Sequence, residues 1–508
     1  MSVLASTLEQ VQEAPVLSAL VLVVLCVSLA ALCPARRPLA TRQLTSLAPH
    51  CPLTAQSSAL APPVFTSGLP IIGPFLKFAD SPVGTVREAY EKHGTVFTLS
   101  MLGQNMTFLL GPKAHTPFFS APDRDVSQAE VYKFMTPVFG KGVVYDAPQH
   151  EMQQQLRFMS ASLNSKHLET YVPQMQREAE EYFGAWPDEG EVTLMDEMAQ
   201  LIILTASRCL MGPEIRETLF KEVAQLYHDL DEGITPLSVF FPNAPTPQHW
   251  KRDRARKEMG RLFGKVIADR RRKGTKYEDV LQVFMDAKYK DDRTLSDDEI
   301  TGLLVALLFA GQHTSSITTT WTAMMIMHHP ELQKRVLQEQ AEKMQSPDLD
   351  YATINSLDLM HNCVKEAIRM YPPLIFLMRK AKVDMKVEGG YVVPKGDIIM
   401  AAPGVSMRLP EKDSSFSDPD TFDPDRYTAP KNEGKGKYEY IGFGGGIHAC
   451  MGERFGFLQV KSILSVLFRD FEVQPVDKDA PLPDYKAMVV GPIASATRIR
   501  FKRKKPTK

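Results

Sequence analysis

FGGGIHACMG, Phe443 to Gly452, is the stretch on which the reading of this chain turns. Cys450 follows three consecutive glycines, Gly444, Gly445 and Gly446, and precedes Gly452. Such a run lets the backbone turn tightly and approach another group closely, because no Cβ stands in the way. From Glu453 onward, Phe455, Leu458, Val460, Ile463, Leu464 and Leu467 recur near helical spacing. The cysteine is therefore expected at the start of a helix, where unpaired N–H groups and the dipole favour a thiolate over a thiol. A thiolate so placed is either a nucleophile or a metal ligand. The plainer alternative, a buried cysteine in a glycine-rich loop, is the usual one for a lone cysteine.

Upstream of this loop, Asn362 to Met370 places Glu366 and Arg369 three apart on one helical face. Such a pair is ordinarily a minor surface contact. FDPDRY, Phe422 to Tyr427, carries Arg426. Between them, Ala381 to Met400 alternates apolar and polar residues around Gly389-Gly390 and Pro394-Lys395-Gly396, a small β region. The best-signalled helix lies further back. Ser296 and Glu299 form a capping box before an apolar run, and a helix is expected over Asp297 to His329, with Pro330 ending it. Its middle reads LLFAGQHTSS. Ala310 and Gly311 remove side-chain bulk at one point, and polar Gln312, His313 and Thr314 follow. A packing notch with satisfied polar groups explains this pattern as well as a binding site does.

Ser81 to Lys92 reads as a helix with Ser81 as N-cap and Pro82 at its first position. Thr95 to Leu110 reads as paired strands about a turn at Gly103 and Gln104. AEVYKFMTPVFGKGVVYDAP, Ala129 to Pro148, is a loop rich in aromatics and Met, more often core than a cofactor contact. Glu151 to Ala206 and Glu214 to Asp231 read as helices separated by short breaks. ITPLSVFFPNAPTP, Ile234 to Pro247, reads as an apolar proline-rich loop, a mobile lid or a membrane-dipping segment. His249 to Lys273 is a basic helix whose charge is most simply a solvated face.

Ala14 to Cys33 carries no charge and is about 20 residues long, enough to cross a bilayer as a helix. Glu9 and Glu13 precede it and Arg36, Arg37 and Arg42 follow, which puts the C-terminal part in the cytosol. A cleaved signal peptide is disfavoured, because the basic residues follow the apolar run. The organisation expected is an N-terminal segment 1–13, a transmembrane anchor 14–33, a proline-rich linker 34–73 and a main body 74–508. The formal net charge of -1 suggests no nucleic-acid partner. Cysteines at 26, 33, 51, 209, 363 and 450 form no CxxC pair, which argues against disulfides and structural zinc.

Phe443, Gly446, His448, Cys450 and Gly452 have the spacing of the haem-binding loop of the cytochromes P-450, and FGGGIHACMG resembles it. There the thiolate pushes electron density onto iron and favours O–O cleavage. Ile447 departs from the Arg often found at its place. Glu366 and Arg369 match the ExxR pair of that family, which with Arg426 braces the fold beneath the haem. GQHTS, with His313 where most members carry an acid, resembles the sterol 14α-demethylases, as do VYKFMTPVFGKGVVYD and FLMRKA. The resemblance covers the chain from about Pro62 onward.

The fold implied is mainly α, the helical prism of the cytochromes P-450 with small β-sheets, preceded by one N-terminal transmembrane helix, with 74–508 as a single haem-thiolate domain. The reaction implied is removal of a sterol 14α-methyl in three oxygenations, through alcohol and aldehyde to formate. The cofactors implied are haem b and O2. NADPH enters through a separate cytochrome P-450 reductase, with cytochrome b5 as an optional second donor, since the chain holds no GxGxxG nucleotide motif. An endoplasmic reticulum membrane location is implied.

The resemblance makes Cys450 the axial ligand and Tyr132, Tyr145, Arg379 and His448 the propionate partners. A Lys of the family is Leu156 here, with Arg157 beside it. Thr314 and His313 would deliver protons, His313 being paired with Asp231, since His titrates near neutral pH. Ala310, Phe134 and Met488 would face substrate, Met488 from a hairpin tip, YKAMVVGP. Phe134 would favour sterols with one methyl on carbon 4, such as obtusifoliol, over lanosterol. Two rivals stand beside this reading: a drug- or fatty-acid-oxidising cytochrome P-450, and a non-catalytic haem or sterol binding protein.

Overall fold

Capping sets where the longest helix begins. In the computed structural model, which describes residues 60–67, 73–101, 103–346 and 348–505, Ser296 Oγ accepts the Glu299 N–H (3.2 Å) and Glu299 Oε2 accepts the Ser296 N–H (2.7 Å). Both arms of the capping box are closed. The central helix then runs Asp297–Met327, and Pro330 opens the next helix, Pro330–Lys343. Most of the central helix is buried on all sides, as a helix through the middle of a large core must be. The expected anchor and most of the linker lie outside the described residues.

Helices pack around this axis. Leu194–Ala206, Pro247–Lys273, Asp358–Met370 and Glu453–Asp470 all contact it. Among the described residues the strands form three sheets. The largest has six strands in the order Val64–Phe65, Val96–Met101, Gln104–Leu109, Ile398–Ala401, Leu377–Ala381, Val126–Ser127. Its hairpin about Gly103 pairs Val96 with Leu109 and Met101 with Gln104. Residues 59–508 form one compact unit.

Four stretches differ from the sequence reading. The 129–148 segment is a chain of short helical turns, Ala129–Tyr132, Lys133–Met135, Thr136–Phe139 and Val144–Asp146. The proline-rich stretch Ile234 to Pro247 contains a helix, Pro236–Phe240, closed by a Thr235–Ser238 capping box. The stretch read as helix over 151–206 is interrupted by a strand, Glu189–Thr193, which pairs with Arg498–Arg503. In the basic helix Pro247–Lys273, Arg252, Arg256 and Arg270 are buried rather than solvated. Their heads find partners: Arg270 Nη2 lies 2.7 Å from both Glu214 Oε2 and Asp279 Oδ2, and Arg252 Nη1 donates to Pro242 O (2.9 Å). Buried charge is tolerated when so paired.

Candidate active site

The cysteine loop is built by backbone bonds. Cys450 N–H donates to Phe443 O (2.9 Å) and Gly444 N–H to Ile441 O (2.9 Å). The Phe443 ring packs on Phe457 of the following helix, Glu453–Asp470. Gly446 has φ +67°, and a Cβ there would lie 2.0 Å from Phe119 O. Only glycine fits that cradle. Cys450 presents surface to solvent. The loop still encloses it enough that burial pushes the thiol above its ordinary range, while the N–H groups of Gly452 and Glu453 pull the other way. The helix-start N–H groups thus act in the direction the sequence reading expects, against the loss of hydration.

On the central helix Ala310 is exposed, although the turns on either side of the notch are buried. Thr314 Oγ1 donates to Ala310 O at 2.6 Å. His313 Nε2 lies 2.9 Å from Asp231 Oδ1, at the end of the helix Phe220–Asp231, and each side chain is 33% exposed. Gln312 turns the other way and donates to Ala199 O (2.7 Å).

A third group of side chains comes from the 129–148 turns and the strand Leu377–Ala381. Tyr132 and Tyr145 stack with ring centroids 5.3 Å apart, and burial raises both phenols. Arg379 is buried at 3% exposure. It donates through Nη1 to Phe118 O (2.9 Å), and no carboxylate among the described residues pairs with it. His448 Nε2 is taken by Asp123 Oδ1 at 2.5 Å, leaving Nδ1. Leu156 packs into the core, whereas Arg157, one position round the helix, is exposed and does not occupy its place. Asp123 was not singled out in the sequence; it lies 325 residues from His448, and no local signal marks it.

The cytochrome P-450 family profile matches residues 62–498. The chain belongs to the cytochrome P-450 family. Among curated relatives it is 44% identical to the "Sterol 14-demethylase" of Arabidopsis thaliana, covering 87% of this chain and 91% of that one. It is also 44% identical to the "Obtusifoliol 14-alpha demethylase" of Triticum aestivum, over 87% and 99% of the two chains. Identity to the "Lanosterol 14-alpha demethylase" of Bos taurus is 39%, over 90% of each. A retinoic-acid-bound cyanobacterial CYP120A1 shares the fold at a TM-score of 0.77, with 21% identity over 88% of this chain and all of that one. The sequence thus falls in the sterol 14-demethylase branch of the cytochromes P-450, and the protein is an oxidoreductase.

Membership implies haem, and the residues of this cytochrome P-450 fit it. Arg379 is a buried cation in need of an anion, which a haem propionate is. The Tyr145 hydroxyl has no partner among the described residues. The glycine cradle at Gly446 brings the loop of Cys450 against Phe119. Behind that loop lies a wholly buried ion cluster. Glu366 and Arg369 join through two bonds (2.7 and 2.9 Å), and Glu366 also accepts from Arg426 Nε (2.9 Å), Tyr427 OH (2.8 Å) and Asp423 N–H (3.0 Å). Arg369 fills its remaining donors on the carbonyls of Met407, Pro419 and Thr421. It is no surface pair.

The two remaining residues lie further out. Met488 is exposed near the tip of the hairpin closed by Pro483 and Pro492. Phe134 lines an open cleft of about 1360 Å³ with Val131 of its own loop, Val239 and Pro242 of the proline-rich stretch, and Arg256 and Gly260 of the basic helix. Neither Cys450 nor Thr314 lines that cleft.

Proposed function

We propose that this cytochrome P-450 removes the 14α-methyl of a sterol precursor, of obtusifoliol or lanosterol type, in three O2- and NADPH-dependent oxidations that release formate. The alignment over nearly the full length of relatives named for that reaction carries the reading. Cys450 Sγ would hold the haem, Arg379, Tyr132, Tyr145 and His448 Nδ1 would hold its propionates, and the bound group would supply the activation of O2. Ala310 and Gly311 leave room on the central helix for the reacting methyl and oxygen. Thr314 swings its hydroxyl off Ala310 O to pass a proton into that space. His313 reloads it: its contact with Asp231 is about one-third exposed on either side, and parting it connects the site to bulk protons.

Electrons come from a separate NADPH–cytochrome P-450 reductase, with cytochrome b5 as an auxiliary donor. The segment 14–33 anchors the 74–508 domain to the cytosolic face of the endoplasmic reticulum membrane. The segment 1–13 and the linker 34–73 flank that anchor.

Two tests attach to these residues. His313→Ala should slow product formation roughly a hundredfold, the low end for loss of a positioned proton donor, and lower the product formed per O2 consumed. Unchanged coupling would remove His313 from the relay. Phe134 sets the preference for one 4-methyl, since its flat ring fills volume a second methyl needs, and overpacking costs about 1–3 kcal/mol. Phe134→Leu should raise kcat/KM for lanosterol relative to obtusifoliol roughly ten- to a hundredfold, the scale for one methyl in an apolar pocket. A wild type that already prefers lanosterol, or an unchanged ratio, contradicts the assignment.

A further inference from the structure

The chain enters Tyr145 through a strained residue. Val144 has φ +47° and is 5% exposed. A β-branched residue in the left-handed region is a true outlier, and it persists only where its surroundings over-determine it. Gln155, on the helix Gln149–Ser162, is what determines it. Its Oε1 accepts the Val144 N–H at 2.7 Å. Its Nε2 donates to Gly142 O at 2.8 Å and to Tyr289 OH at 2.9 Å. An N–H only donates and a carbonyl only accepts, so these partners fix which way the amide faces. The side chain is fully buried.

The bonding continues on both sides. Tyr289 OH donates to Glu299 Oε1 (2.8 Å), the carboxylate that caps the central helix. Arg293 Nη1 lies 3.0 Å from both oxygens of Glu299. From the other direction Asp146 Oδ2 accepts the Gly142 N–H at 2.9 Å. The turn is thus clamped between one helix and the first turn of another, and the Tyr145 ring leaves it stacked on Tyr132.

We propose that Gln155 is a positioning residue: it holds the strained turn at Val144 so that the Tyr145 hydroxyl is presented to a carboxylate at the haem edge. The inference rests on the reading of Tyr145 as a propionate donor. It matters more here because Leu156, the next residue, brings no cation to that edge, and Asp123 occupies one nitrogen of His448.

The test is the rate at which the purified holoprotein loses haem to a haem-free globin, followed by absorbance, in Tyr145→Phe, Gln155→Leu and the double variant. Each single change should speed haem loss several-fold, and the double variant should be no faster than the faster single, because Gln155 acts through Tyr145. Effects that multiply would mean an independent structural role and overturn the proposal. So would a Gln155→Leu protein that keeps haem normally while Tyr145→Phe does not. If Tyr145→Phe alone changes nothing, the propionate reading of Tyr145 fails first, and the proposal with it. If Gln155→Leu does not fold, Val144→Gly is added to it. Glycine adopts the positive φ unaided, so recovered folding and haem retention support the proposal, and continued failure overturns it.

Discussion

Cys450→Ala is expected to give a folded protein that turns over no sterol and shows no thiolate-type spectrum when reduced under CO. The bonds that shape the loop are backbone ones, Cys450 N–H to Phe443 O and Gly444 N–H to Ile441 O, and alanine keeps both. The Gly446 cradle against Phe119 is equally untouched. The thermal midpoint measured without haem should therefore stay close to wild type. What goes is the sulfur, the only soft donor of the loop apart from the Met451 thioether. Thiolate ligation is what favours O–O cleavage in this family, and no neighbouring side chain can replace it. Turnover and the CO spectrum are read on the same preparation. A variant that kept both would remove Cys450 from the site.

Glu366→Ala should be the most damaging change to stability. The carboxylate accepts from Arg369, Arg426, Tyr427 and the Asp423 backbone, all with the pair itself fully buried. Alanine leaves the buried Arg369 without its anion and Arg426 with Glu433 alone. Removing one partner of a buried pair costs about 3–5 kcal/mol, and a carboxylate serving four donors belongs at the upper end. Against a total stability of about 5–15 kcal/mol this is a large share. In a domain of this size it corresponds to a fall in thermal midpoint of roughly 5 °C. Haem recovered per mole of protein should fall with it, because the residues beneath the cysteine loop lose their brace. Glu366→Gln keeps the shape and one acceptor oxygen, so its loss should be smaller. Equal stability of wild type and the alanine variant in urea unfolding would show that the cluster does not hold the fold together.

What the sequence made legible was local. A capping box is three residues apart, a glycine run is contiguous, and the hairpin about Gly103 needs one turn. Each was read within a residue or two of its place. Cys450 stood out for the same reason. Long-range pairing was not legible. Glu366 and Arg369 have the spacing of an ordinary surface pair; only the arrival of Arg426 and Tyr427 buries them. The arginines of Pro247–Lys273 read as solvent-facing because composition counts charge and not partners; Glu214 and Asp279 lie outside that helix. The strand Glu189–Thr193 forms because Arg498–Arg503 pairs with it, about 300 residues away in the chain. Asp123 reached His448 in the same way. The dipole at the start of the Cys450 helix can be read from sequence, whereas the hydration lost by enclosure cannot.

The most direct measurement is product analysis after reconstitution with NADPH and a cytochrome P-450 reductase, with obtusifoliol and lanosterol offered separately. The predicted result is a sterol lacking its 14α-methyl, with a new ring double bond and one formate per sterol, formed faster from obtusifoliol. Oxygen consumption that returns both sterols unchanged, or hydroxylates them elsewhere with no formate, would contradict it.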